Sequence, residues 1–140
     1  VHKVFESIEW VDEFSLTKLQ LFKADYPDAF AEVEKCLEDK SFVKNFIKPI
    51  DLVQLWRERA FDVVIDGEMV SGVFDRVHLF SDNAEIIDFK SDKIGGAGVK
   101  LHIFQLQSYR KALAKLTGLD ESVIKCKLFF TYSREVLEVE

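Results

Sequence analysis

The sequence predicts an α/β (α+β) fold: a mixed β-sheet flanked by helices, with a helical segment over residues 1–50 in front of it. Three observations carry the prediction. Apolar residues recur at helical spacing through the first fifty positions. From Gln54 onward, β-branched and aromatic residues alternate with polar ones, interrupted by Asp66-Gly67 and by Ser81-Asp82-Asn83-Ala84, both of which are turn chemistry. One long amphipathic helix then separates these strands from the apolar run Leu128-Phe129-Phe130, so the order is β-β-β-α-β.

Residues 1–14 read as a helix whose apolar side is Val4, Phe5, Ile8, Val11 and Trp10, and His2 and Glu6, four apart, share a face of it. Ser15 is the expected N-cap of a second helix over 16–23, after which Asp25-Tyr26-Pro27-Asp28 breaks the chain. A third helix over 29–39 turns Phe30, Val33 and Leu37 inward, and a fourth starts at Ser41, runs through Phe42, Val43 and Phe46 and ends near Pro49. The first strand carries Trp56-Arg57-Glu58-Arg59 into Phe61, Val63 and Ile65; the second spans 68–80 and the third 86–90. Residues 91–98 are glycine-rich and read as a mobile loop at the rim of the site, with no Lys-Ser/Thr pair to make a P-loop. The clearest helix is 101–116, with Leu106, Tyr109, Leu113 and Leu116 on its core side and Gly118 as its stop. A buried strand over 123–132 and a shorter strand or tail over 135–140 close the chain.

With 140 residues, 48% of them hydrophobic and 13 of them Phe, one domain spanning 1–140 is the natural count. Cys36 and Cys126 lie far apart without C-x-x-C spacing, which leaves reduced thiols in a cytoplasmic protein as the plain reading. No signal peptide or long apolar run points to secretion or a membrane. The net charge of −6 works against a large phosphate-binding surface on this chain. The sequence opens at Val1-His2, without Met and with helical sequence already under way, as a piece of something longer does.

The chemistry lies in the second hairpin. With its turn centred between Ser81 and Asp82, residues equidistant from that point face each other, which puts Asp75 opposite Asp88 with Cβ atoms about 5 Å apart. Strand alternation puts Ile86, Asp88 and Lys90 on one face and Ile87 and Phe89 on the other. Two carboxylates and an ammonium therefore converge. Facing carboxylates repel, and a divalent cation removes the repulsion: Mg²⁺ takes one or two carboxylates and keeps several waters. A neighbouring lysine supplies positive charge where a transition state at phosphorus becomes more negative. Glu58, one hairpin earlier, either is exposed and idle or faces this patch. Gln105 and Tyr109, four apart on the long helix, are either a core-edge pair or lean over the patch.

Gly72-Val73-Phe74-Asp75-Arg76, Asp88-Phe89-Lys90 and Gln105-Leu106-Gln107-Ser108-Tyr109 together resemble the motifs of the RecB-like nucleases of the PD-(D/E)XK superfamily. The opening Val1-His2-Lys3-Val4-Phe5-Glu6 resembles the end of that family's N-terminal helix motif, and the Glu58 region its glutamate before the hairpin. The resemblance implies a restriction-endonuclease-like sheet and metal-dependent hydrolysis of DNA, as an exonuclease module in double-strand-break repair and recombination. It implies that His2, Asp75, Asp88 and the Phe89 backbone carbonyl ligate Mg²⁺, with Mn²⁺ as a substitute. Lys90 then orients the attacking water, Glu58 belongs to the catalytic set, and Gln105, Tyr109 and Arg76 position DNA. The implied partners are DNA, helicase domains upstream in the same chain and a second helicase-nuclease subunit. The absence of a four-cysteine cluster argues against relatives with an iron–sulfur staple. The alternative is a silent nuclease-like domain that binds DNA or a partner subunit without cutting.

Overall fold

In a computed structural model that describes residues 1–12, 17–91 and 98–140, five strands form one sheet in sequence order. They are β1 (Gln54–Ile65), β2 (Glu68–Leu79), β3 (Ala84–Lys90), β4 (Ile124–Phe130) and β5 (Glu135–Val139). The β3–β4 pair is parallel and the others are antiparallel, so the sheet is mixed, as expected. The parallel step needs a crossover, which the helix α4 (Val99–Thr117) supplies. Among the described residues no helix is long and apolar enough to cross a membrane.

Both hairpins obey their turns. Asp66 (φ 52°) and Gly67 (φ 80°) are both left-handed, as a tight two-residue hairpin requires, and Ile65 pairs with Glu68 across them. In the second hairpin Leu79 faces Ala84, His78 faces Glu85 and Arg76 faces Ile87. The next step of that register brings Asp75 beside Asp88.

α4 covers one face of the sheet, with Leu106, Ala112 and Leu113 packed on Phe61, Phe74, Val77, Ile86, Cys126 and Leu128. The opposite face is covered by α1 (His2–Glu6), α2 (Pro27–Glu38) and α3 (Lys40–Val43), whose Phe5, Val33, Cys36 and Phe42 pack on Ile87, Phe89 and Phe129. Because β3 is buried on both sides, Ile86, Ile87, Asp88 and Phe89 form a buried run rather than an alternation.

The helices depart from the sequence expectations in five places. α1 ends at Glu6 rather than continuing to residue 14, because its trailing carbonyls are taken by side chains from the sheet: Arg57 donates to Glu6 O, and Arg76 to Ile8 O and Glu9 O. Pro27 opens α2 instead of breaking the chain, since a first-turn proline loses no helical hydrogen bond. It is Cys36, more than Leu37, that faces fully inward from that helix. The N-cap of α3 is Asp39, whose carboxylate accepts from the Ser41 and Phe42 N–H groups. On α4, Leu116 is 46% exposed rather than in the core, while Gly118 (φ 78°) ends the helix as expected. Helical character over 17–22 agrees with the second expected helix; its proposed cap Ser15, and most of the glycine-rich loop at 91–98, lie outside the described residues.

Candidate active site

The site forms where β1 and β2 both break their pleat at the same level. Phe74 and Val77 lie in the same core beneath α4, although three residues apart, and Trp56 and Phe61 do likewise on β1. Regular alternation would send one of each pair to the opposite face. Glu58 absorbs the break on β1 with φ 46°, a left-handed conformation that a glutamate rarely adopts. Asp75 stands at the corresponding position on β2, between the pairs Arg57↔Arg76 and Arg59↔Phe74. Glu58, Asp75 and Asp88 therefore succeed one another across three strands.

Asp75 accepts a hydrogen bond from the Phe89 N–H at 2.9 Å and lies 3.4 Å from His2 Nε2. Lys90 Nζ lies 2.9 Å from Asp88 Oδ2. His2 also hydrogen-bonds to the Phe89 backbone. The expected ligand set, His2, Asp75, Asp88 and Phe89, is thus gathered in one place with Lys90 beside it. What brings α1 there is aromatic packing: Phe5, one turn from His2, stacks on Phe89 with ring centroids 4.4 Å apart.

The electrostatics of the pair are unequal. Burial and the neighbouring Asp75 push Asp88 up to about 6, against the pull of Lys90. Burial also raises Asp75, but hydrogen bonds from His2, Asp88 and the Phe89 N–H outweigh it and hold this carboxyl below its usual range. One carboxylate ionises readily and impedes the second. His2 is raised above its ordinary value by its bond to Asp75, burial opposing, and Glu58 is raised by burial and by the charges of Asp75 and Glu6.

Oxygen donors of this kind suit a hard divalent cation, and Mg²⁺ needs only one or two protein carboxylates. Among the described residues no three His, Cys, Asp or Glu side chains already hold their donor atoms as a metal would. The donor set fits through its chemistry and its excess of negative charge, with the carboxylates in their present positions bonded to His2, Lys90 and the Phe89 N–H.

Tyr109 also reaches the patch. It hydrogen-bonds to the Val73 backbone, and Asp88, Asp75 and Lys90 all act on its hydroxyl, which burial above all raises. Its ring crosses Gly72 so closely that a Cβ there would lie 2.7 Å from Tyr109 Oη and 2.9 Å from Phe61 Cζ. Gln105 Nε2 is 3.4 Å from Tyr109 Oη. Arg76 is different: at 1% exposure it is sealed between Trp10 and Phe46 and donates to Ile8 O and His78 Nε2. The expectation that it touches DNA gives way to a structural role, because the pleat break turns it toward the N-terminal helices. Sequence reading also passed over the cations Lys3, Lys18, Arg57 and Arg59, which line a common cavity. The signal was local, since Arg57 and Arg59 flank Glu58.

No protein-family model matches the chain, and no curated protein matches it.

Proposed function

We propose that this chain is a metal-dependent deoxyribonuclease domain of the RecB-like, PD-(D/E)XK type, acting as the exonuclease module of a helicase-nuclease in DNA double-strand-break repair and recombination. The observation that carries the reading is the juxtaposition of Asp75 and Asp88 with Lys90 2.9 Å from the latter, at a break in the sheet and against α1. Asp75, Asp88, His2 and the Phe89 carbonyl would hold Mg²⁺ or Mn²⁺. Such an ion, when bound, polarises the scissile phosphate and lowers the pKa of a water.

The chain's own groups supply the rest. Lys90 orients the attacking water and balances charge building on the phosphate oxygens. Water attacks phosphorus in line, the bond to the 3′ oxygen breaks and a 5′ phosphate is left. Gln105 and Tyr109, on the helix above the patch, position the strand, and Glu58 borders the site from β1. Upstream helicase domains and a second subunit are the partners this reading brings with it.

A second reading, binding of DNA or a partner without hydrolysis, draws on the absence of a preassembled donor trio among the described residues and on the Asp88–Lys90 ion pair. Cleavage assays separate the two. Single-stranded DNA incubated with the protein and Mg²⁺ or Mn²⁺ is expected to be cut, with at least a ~10³-fold loss in Asp88→Ala and Lys90→Ala and no cutting at all in EDTA. No cutting of any DNA form by the protein, within its parent chain and with its partner subunit, would leave the binding reading.

A further inference from the structure

Beside α1 and β1 the surface sinks into a cavity of about 570 Å³ whose lining includes, among the described residues, Lys3, Lys18, Arg57, Arg59, Trp56 and a single acid, Glu6. Among the described lining residues four cations stand against one carboxylate, with Glu9 paired to Arg57 from outside the lining, whereas the whole chain has 19 basic and 25 acidic residues. Positive charge gathered in a concavity focuses the field and favours a polyanion.

A second observation is independent of charge. The Arg59 guanidinium lies over the Trp56 ring, 4.3 Å from its centroid, and Trp56 is itself steadied by its indole N–H donating to Gln54 Oε1 at 3.0 Å. Arg59 is exposed, so its free planar face is a platform on which a base can stack. In a duplex the faces of the bases are already covered by their neighbours. A platform of this kind is useful only to an unpaired strand.

The third observation is location. Lys3 follows His2 on α1, and Arg57 and Arg59 flank Glu58 on β1, so the cavity is built from residues next in sequence to the two that border the carboxylate pair from α1 and β1. Arg57 is held in place by Glu6 O at 2.8 Å and by Glu9 at 3.0 Å, which fixes one cation of the lining. We propose that this cavity is the seat of an unpaired nucleic-acid strand, its phosphates against Lys3, Lys18 and Arg57 and a base on the Arg59–Trp56 platform. The proposal deepens the nuclease reading, on which it rests for the strand's passage to Asp75 and Asp88, while binding itself needs no metal.

The test is binding of a short fluorescein-labelled oligo(dT) to the 140-residue chain in EDTA, followed by anisotropy across a salt series. The Lys18→Gln/Arg59→Gln double variant, which removes one phosphate contact and the stacking platform, is expected to bind about tenfold more weakly and to flatten the log–log salt slope by about 0.7, the contribution of one phosphate contact on a single strand. Oligo(dT) is expected to quench tryptophan fluorescence in the wild type and much less in Trp56→Phe, which keeps an aromatic ring in place. Both substituted cations are exposed, so thermal melts of the double variant should match the wild type. Wild-type affinity in the double variant, equal competition by a duplex of the same length, or no binding of oligo(dT) at all would overturn the proposal. If the double variant loses binding while the wild type shows no metal-dependent cleavage, the nuclease reading falls and the cavity stands. If cleavage requires Asp88 but the double variant binds and cuts as the wild type does, the reverse holds.

Discussion

On β2 and β3 two clusters of ionisable side chains lie one residue apart in register. In the first, Asp75 and Asp88 bring like charges together with Lys90 and His2 at the margin. In the second, Arg76, His78, Glu85 and Lys127 are bonded in a chain on the side of the N-terminal helices. Arginine only donates, so His78 Nε2 must accept from Arg76 Nε at 2.8 Å; the proton then sits on Nδ1, which donates to Glu85 at 3.1 Å. Lys127 closes the chain on Glu85 at 2.9 Å. Burial pulls the Arg76 guanidinium down to about 9, still cationic at neutral pH, and lowers His78, which stays neutral. Every charge in this second cluster has a partner of opposite sign or a carbonyl. Adjoining positions on the same two strands thus yield a locked strut in one cluster and, in the other, a pair of carboxylates whose repulsion a cation or a proton would relieve. Residues retained in an unfavourable arrangement are the ones to examine for function.

Breaking the locked cluster should have the largest effect on stability. Arg76→Met strands the Ile8 and Glu9 carbonyls and loosens α1, at a cost of about 3–5 kcal/mol in urea melts. An effect under about 1 kcal/mol would show that Arg76 is not the strut described.

Glu85→Gln should cost about 2 kcal/mol at pH 7. Burial opposes its ionisation, but His78 and Lys127 hold Glu85 down at about 2, against a reference of 4.5. A depressed carboxylate stabilises the fold above its unfolded pKa, so the gap between wild type and variant should be full above about pH 5 and narrow as pH falls toward 2. A gap independent of pH would remove the ionic explanation.

Gly72→Ala acts at the other cluster, where the new methyl meets Phe61 and Tyr109. It should destabilise by about 1–2 kcal/mol and lower cleavage by displacing Tyr109. Unchanged stability and cleavage would show that the tyrosine moves freely.

The difference between the clusters also explains what was legible in the sequence. Turn chemistry at Asp66-Gly67 and Ser81-Asp82 is local, and it fixes register along the strands, so the approach of Asp75 to Asp88 and the shared face of Ile86, Asp88 and Lys90 followed from spacing alone. The pleat break at Glu58 and Asp75 has no local signature: Glu58 is not a glycine, and its positive φ accompanies an interruption in the pairing of β1 with β2, between Arg57↔Arg76 and Arg59↔Phe74. Arg76 was therefore placed with the site it adjoins in sequence instead of the helices it grips in space. The early end of α1 was hidden for the same reason, because its capping groups come from Arg57 and Arg76, about fifty and seventy residues away. The basic cavity joins residues from two such distant segments.

The central claim is that Asp75 and Asp88 form a carboxylate pair relieved by a divalent cation, and thermal unfolding at neutral pH with EDTA, Mg²⁺ or Mn²⁺ tests it most directly. Asp88→Asn removes one of the repelling charges and should be more stable than the wild type in EDTA by about 1–2 kcal/mol. Mg²⁺ or Mn²⁺ should raise the melting temperature of the wild type and leave that of Asp88→Asn unmoved. A wild type indifferent to both metals, together with an Asp88→Asn variant less stable than it, would contradict the account.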